Sequence, residues 1–214
     1  ARRIIVARAP IARNVELLCV RHGRTAWNAD QRFQGHTDVP LDDEGRAQAT
    51  ALGALLAGER IDAAVSSDLA RASETARIVL GTRALPLRLD PDWRELRFGD
   101  WEGLTWPQIV AANPHIDAAN ATSVRTYVPA GGESFADLCA RVERAAERIT
   151  SETGEDGVVL VATHAGPLHA LLHVLLGERD APAVRFLTAS VTRFRRVDGI
   201  WRLARLNETA LGRS

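Results

Sequence analysis

"VVLVAT" (158–163) runs six residues without a charge and stops at a histidine, His164. A strand with one face in water alternates polar and apolar residues, whereas a continuously apolar strand is covered on both faces, as in a parallel sheet. Two more stretches read the same way: "ELLCVR" (16–21), which stops at His22, and "IDAAVSS" (61–67). Helical patterns separate them. "DDEGRAQATALGALLAG" (42–58) crowds acids into its first turn, sets Ala47, Ala51, Leu52, Leu55 and Leu56 on one side, and meets Gly58 as a stop. "LARASETARIVLG" (69–81) follows the second strand. "SFADLCARVERAAERI" (134–149) opens with Ser134 and Asp137 in capping-box spacing, and its apolar face places Cys139 in the core. After the third strand, Pro167 marks a helix start with Leu168, Leu171, Leu172 and Leu175 facing inward.

Three further segments complete the outline. "LPLRLD" (85–90) alternates apolar and polar residues as an exposed or edge strand does, and "SVTRFRRV" with "WRLARL" around Asp198-Gly199 reads as a terminal hairpin. Residues 91–132, punctuated by Pro91, Pro107, Pro114, Pro129 and Gly131-Gly132, read as an irregular cap holding short helices. The expectation is a three-layer α/β fold: a largely parallel central sheet, helices on both faces, one domain over 15–214 and a cap insertion at about 91–132. The basic start, residues 1–14, reads as a loosely packed tail rather than a targeting segment.

Composition removes several chemistries. All 27 basic residues are arginine, so this sequence contains neither a P-loop lysine nor a Schiff-base lysine. Its 27 acids balance them, leaving no global field to hold nucleic acid or an anionic membrane. The two cysteines, Cys19 and Cys139, make neither a disulfide framework nor a zinc site, and point to a reducing cytoplasm. Neither is followed six positions later by the arginine a cysteine phosphatase needs; Thr25 and Ala145 stand there.

In parallel sheets ligands sit beyond the carboxyl ends of the strands. Arg21, His22 and His164 fall at such ends, Arg71 falls just past a third, and the helix start at Ala165-Gly166 offers backbone N–H groups to a phosphate. Arg21 and Arg71 would grip phosphate oxygens with planar forks. Glu95, set near Trp93 and Phe98, suits the carrying of a proton. His169 and His173 have i, i+4 metal spacing without an evident third ligand, and an outward polar face explains them better. His36 and His115 suggest no chemistry.

The segments "VRHGRTAWNADQRFQGHTDVPLDDEGRAQA" (20–49), "SSDLARASETA" (66–76), "RELRFGDWEGLT" (94–105), "PAGGESFADL" (129–138) and "VVLVATHAG" (158–166) resemble, in order, the histidine phosphatase superfamily, which includes cofactor-dependent phosphoglycerate mutases and their phosphatase relatives. The resemblance implies that His22 attacks phosphorus, and that Arg21, Arg71 and His164 bind the transferring group. It makes Glu95 the proton donor; were Glu95 only to position the phosphate or support the cap, Glu102 and Glu133 would be the next candidates. Asn28, Gln34, Gly35 and Ala165 would complete the substrate pocket. Departures are Arg24, where glutamate or glutamine is usual, Ala165 for a frequent glycine, and His169 where arginine is common. The cap segment "FGDWEGLT" resembles the phosphatase branch more than the mutase branch. The implied function is a metal-independent, cofactor-free phosphatase of small phosphorylated metabolites. The alternatives are a phosphoglycerate mutase and an inactive phosphate-binding protein. No nucleic-acid or membrane partner is implied, and a homodimer is compatible with the sequence.

Overall fold

The computed structural model describes residues 14–114, 116, 127–177 and 184–210. All of the expected tail except Asn14, and His115, lie outside these residues. The chain builds β1 (Val15–Arg21), α1 (Ala26–Ala29), α2 (Asp43–Leu55), β2 (Ala63–Ser66), α3 (Ala70–Leu80) and β3 (Leu87–Leu89). Two short 3₁₀ turns, Pro91–Trp93 and Gly99–Trp101, lead to α4 (Trp106–Ala112). Then come α5 (Phe135–Glu152), β4 (Gly157–Thr163), α6 (Ala165–Leu176), β5 (Val191–Val197) and β6 (Ile200–Glu208). Among the described residues no helix is long and apolar enough to cross a membrane.

The six strands form one sheet in the order β3-β2-β4-β1-β5-β6. β3, β2, β4 and β1 are parallel, whereas β5 runs antiparallel to β1 and β6 antiparallel to β5. The apolar runs are thereby explained: successive side chains point to opposite faces, and both faces are covered. Leu17 and Cys19 of β1 join Val159 and Val161 of β4 under α5 and α6, packing on Leu138, Val142, Ile149, Leu168 and Leu171. Leu18, Val20 and Leu160 point the other way, against Leu52, Leu56, Val79 and Leu80 on the side of α2 and α3. Each fully buried leucine or valine contributes roughly 1.5–3 kcal/mol over its exposed state. The alternating β3 sits at the sheet edge, as its pattern implied. The β5–β6 connection is the two-residue Asp198-Gly199 turn, with φ of 51° and 81°. Positive φ at both positions is what a tight hairpin needs and what Asp-Gly supplies.

Two local expectations are corrected. The buried stripe of α2 is Gly45, Ala49 and Leu52, continued by Leu56, while Ala47 and Leu55 are exposed. The helix is rotated because Gly45 lies against the loop after β1: a Cβ there would sit 2.0 Å from the carbonyl oxygen of Arg24. α6 begins at Ala165, not at Pro167; His164 is its extended N-cap. Pro167 fits within the first turn because N–H groups there have no intrahelical partner to lose.

The described part of the cap holds short helical pieces, as expected. Trp101, Ile109 and Ile116 pack with Phe33, Phe98, Leu104, Trp106 and Tyr127 into a third cluster, which Phe98 joins to the core under α5 and α6.

Candidate active site

Register decides what meets at the carboxyl edge. Arg21 on β1 pairs with Thr163 on β4, so the next residues on each strand, His22 and His164, emerge side by side. Their ring centroids are 5.0 Å apart, and both rings are buried. The His22 amide donates to the Thr163 carbonyl at 3.0 Å, and its own carbonyl accepts from the Ala189 amide at 3.1 Å. The imidazole Nδ1 lies 2.7 Å from the Gly23 carbonyl oxygen. A carbonyl only accepts, so Nδ1 carries the hydrogen and Nε2 is left with its lone pair. Burial first, then the charges of Arg71 and Arg21, hold the His22 pKa well below the usual 6.5. At neutral pH the ring is therefore uncharged, with the Nε2 lone pair open.

The loop after His22 is fixed from behind. The Gly23 amide donates at 3.0 Å to the Thr75 hydroxyl, which itself donates to the Arg71 carbonyl at 2.7 Å. One helix, α3, thus holds both the loop after His22 and Arg71.

Arg71 is fully buried, and burial pushes its pKa down to about 10, still charged at neutral pH. Its Nε donates to His164 Nδ1 at 3.2 Å, and its two terminal nitrogens donate to the carbonyls of Thr37 at 3.0 Å and Gly35 at 2.8 Å. Accepting from Arg71 fixes the other tautomer on His164, whose Nε2–H donates to the Ser67 hydroxyl at 2.9 Å. Three of the five guanidinium N–H groups are thereby accounted for. Arg21 donates to the Phe186 carbonyl at 2.5 Å, while its buried Nε has no protein partner. Two guanidinium charges with donor capacity to spare, beside the open Nε2 lone pair of His22, suit an anion rich in oxygen. Because the planar fork is used in three directions at once, Arg71→Lys should lower kcat/KM by roughly 2 kcal/mol or more, about thirtyfold. Steady-state kinetics within threefold of wild type would place Arg71 outside the phosphate site.

Glu95 reaches the same edge from the cap. Its Oε1 accepts the Leu96 and Gly166 amides, each at 2.8 Å, which leaves Oε2 as the oxygen able to carry a proton. The carboxylate is felt by both Arg21 and Arg71, raising the pKa of each against the effect of burial. Close approach needs glycine at 166, since a Cβ there would sit 2.2 Å from Oε1. The contacts seen at this carboxyl are two backbone donors rather than aromatic rings.

The remaining predicted residues divide. Gly35 contributes the carbonyl that holds Arg71 and has φ +52°; a Cβ on it would lie 2.1 Å from Glu102 Oε1. Gln34 is buried with its Oε1 unpartnered. Asn28 spends its Oδ1 on the Thr25 amide and hydroxyl, capping α1. Ala165 is the first residue of α6, adjoining the Gly166 amide that binds Glu95. Arg24 pairs with Asp42 at 2.9 Å. His169 and His173 do not form an outward polar face: both are half-buried, edge-on to Phe186 and Phe135, with centroids at 5.0 and 5.9 Å.

Sequence reasoning missed the supports. Glu102 accepts from the amides of His36, Thr37 and Phe98 and from the Thr37 hydroxyl, which holds the turn that holds Arg71. Arg141 on α5 binds the carbonyls of Asp92, Arg94 and Glu95 and both oxygens of Glu133. Glu102 and Glu133, the reserve candidates for proton donor, are therefore engaged in holding loops. Ser67, Thr75 and His36 complete the set. Residue type alone carried no signal for these, because each acts on a group distant in sequence.

An uncharged imidazole with an open Nε2, two buried arginines and one carboxyl thus meet at the carboxyl edge of a parallel sheet. Residues 17–209 match the family described as the histidine phosphatase superfamily (branch 1). A phosphoglycerate mutase-like protein of Arabidopsis thaliana is 38% identical over 86% of this chain and 80% of its own. The glucosyl-3-phosphoglycerate phosphatase of Mycolicibacterium vanbaalenii is 39% identical, over 75% of this chain and 74% of its own. A solved mycobacterial glucosyl-3-phosphoglycerate phosphatase, complexed with VO3, superposes with a TM-score of 0.82 at 35% identity, covering 92% of this chain and 100% of that one. The chain belongs to the histidine phosphatase superfamily, and within it is a phosphoric monoester hydrolase.

Proposed function

We propose that this enzyme hydrolyses small phosphomonoesters without a metal, in two steps through a phosphohistidine on His22. The observation that carries the reading is the bond from His22 Nδ1 to the Gly23 carbonyl, which leaves Nε2 unprotonated beside Arg21 and Arg71. In the first step Nε2 attacks phosphorus, the ester P–O bond breaks, and Glu95 passes its proton to the leaving oxygen. In the second, water attacks phosphorus as Glu95 takes a proton from it, the P–N bond breaks, and inorganic phosphate leaves. Arg21 and Arg71 stabilise the charge on the equatorial oxygens, and His164 orients the Arg71 fork. Phosphoryl transfer relies mostly on positioning and electrostatic stabilisation, so fixed guanidinium groups suffice for it. Two buried cysteines, Cys19 and Cys139, support action in a reducing cytoplasm.

The test is chemical. Activity should survive prolonged EDTA treatment, and enzyme quenched during turnover of a ³²P-labelled ester should carry phosphate that is labile in acid and stable in base. Activity abolished by EDTA and restored by a divalent ion sinks the proposal. The mutase-like relative supports the second reading, so 3-phosphoglycerate is assayed with and without 2,3-bisphosphoglycerate. Phosphate release in both conditions is expected; rapid isomerisation that depends on the bisphosphate establishes the mutase instead. Glucosyl-3-phosphoglycerate belongs in the same substrate panel.

A further inference from the structure

The proposed chemistry leaves His36 without a part, yet it is tightly placed at the edge of the site. Its Nε2 lies 2.8 Å from the Glu95 carbonyl oxygen. That carbonyl can only accept, so Nε2 carries the hydrogen and Nδ1 is bare. The bare nitrogen faces Arg97 Nε at 3.4 Å, a donor, so both contacts require the same tautomer. Glu133 Oε2 stands 3.7 Å from Nε2, and Arg141 shares the Glu95 carbonyl from the other side at 2.8 Å.

The turn carrying His36 has two other attachments. Its neighbours Gly35 and Thr37 present their carbonyls to Arg71, and the amides of His36 and Thr37 bind the Glu102 carboxylate. Residues 35–37 are therefore one rigid piece with the phosphate-binding arginine on one side and the backbone of the carboxyl bearer on the other. Nothing else described joins Glu95 to that turn.

We infer that His36 is a positioning residue for proton transfer: through its Nε2–H bond to the Glu95 carbonyl, it sets the Glu95 carboxyl at a fixed place relative to the phosphate held by Arg71. The inference rests on the reading of Glu95 as proton donor. Misplacement of a reacting group by a fraction of an ångström is costly only where that group transfers a proton in the slow step. A merely structural role would slow all substrates alike.

The experiment is rapid-quench measurement of the first phosphorylation of the enzyme, with an alkyl phosphate and with 4-nitrophenyl phosphate, for His36→Ala, His36→Leu, His36→Gln and Glu95→Gln. Alkoxide departure needs the proton and nitrophenolate departure does not. His36→Ala and His36→Leu should slow the alkyl ester about tenfold and the nitrophenyl ester less than threefold, in keeping with one lost hydrogen bond. Glutamine places an N–H near the position of Nε2, so His36→Gln should recover to within about threefold of wild type. Adding His36→Ala to Glu95→Gln should cost nothing more with the alkyl ester. Equal slowing of both esters by the His36 variants, while Glu95→Gln discriminates between them, overturns this inference alone. If Glu95→Gln itself fails to discriminate, the acid assignment fails, and the inference with it. Should His36→Ala prove unstable, the larger leucine and the glutamine rescue decide the outcome.

Discussion

His22→Ala should lower kcat for every phosphomonoester by roughly 10⁴-fold or more, the scale on which removing an enzyme's nucleophile acts. The reason is local. Of the two histidines at the edge, His22 has its Nε2 unprotonated and open, whereas His164 has both ring nitrogens engaged with Arg71 and Ser67. His164 therefore cannot take over without breaking two buried bonds. His22→Asn is the companion variant: its side-chain N–H can still reach toward the Gly23 carbonyl, yet it offers no nucleophile, and it should be as inactive as alanine. Arg21 and Arg71 remain in both, so inorganic phosphate should still raise the melting temperature. Acid-labile phosphate on either variant, or activity within a hundredfold of wild type, would move the nucleophile elsewhere.

Glu95→Gln should depend on the leaving group. Glutamine can keep its carbonyl oxygen on the Leu96 and Gly166 amides, so the loop should fold as before. What is lost is an acidic proton on the other terminal atom. General acid catalysis contributes ~10²–10⁴-fold where the leaving oxygen is strongly basic. Phosphorylation by an alkyl phosphate should fall by about that factor, and by 4-nitrophenyl phosphate far less. Only the first turnover is diagnostic, because water attack on the phosphohistidine also uses Glu95 and would slow both substrates in the steady state. Equal losses in the first turnover would reduce Glu95 to a counter-ion for Arg21 and Arg71. With Glu102 and Glu133 committed to loop contacts, the donor would then come from solvent.

Much of this was legible in the chain. Strands covered on both faces have no choice but to be apolar throughout, so β1 and β4 were visible, and with them the two histidines at their ends. α5 was legible because its capping box and its stripe are both local patterns, and the Asp-Gly hairpin because positive φ is a property of those residues. α2 was misread in rotation. Its docking depends on backbone touching backbone at Gly45 and Arg24, and an apolar stripe cannot report a contact made by the absence of a side chain.

Sequence by itself determined the fold class and the family, because each is carried by residue type and order along the chain. Tertiary structure alone decided the states of the site residues. The His22 tautomer depends on one carbonyl 2.7 Å away, and its lowered basicity depends on burial beside two arginines 50 residues apart in the chain. The placing of Glu95 depends on amides and side chains from residues 36, 141 and 166. Hydrogen-bond direction and electric field are set by distances in space, and no spacing along the chain encodes them.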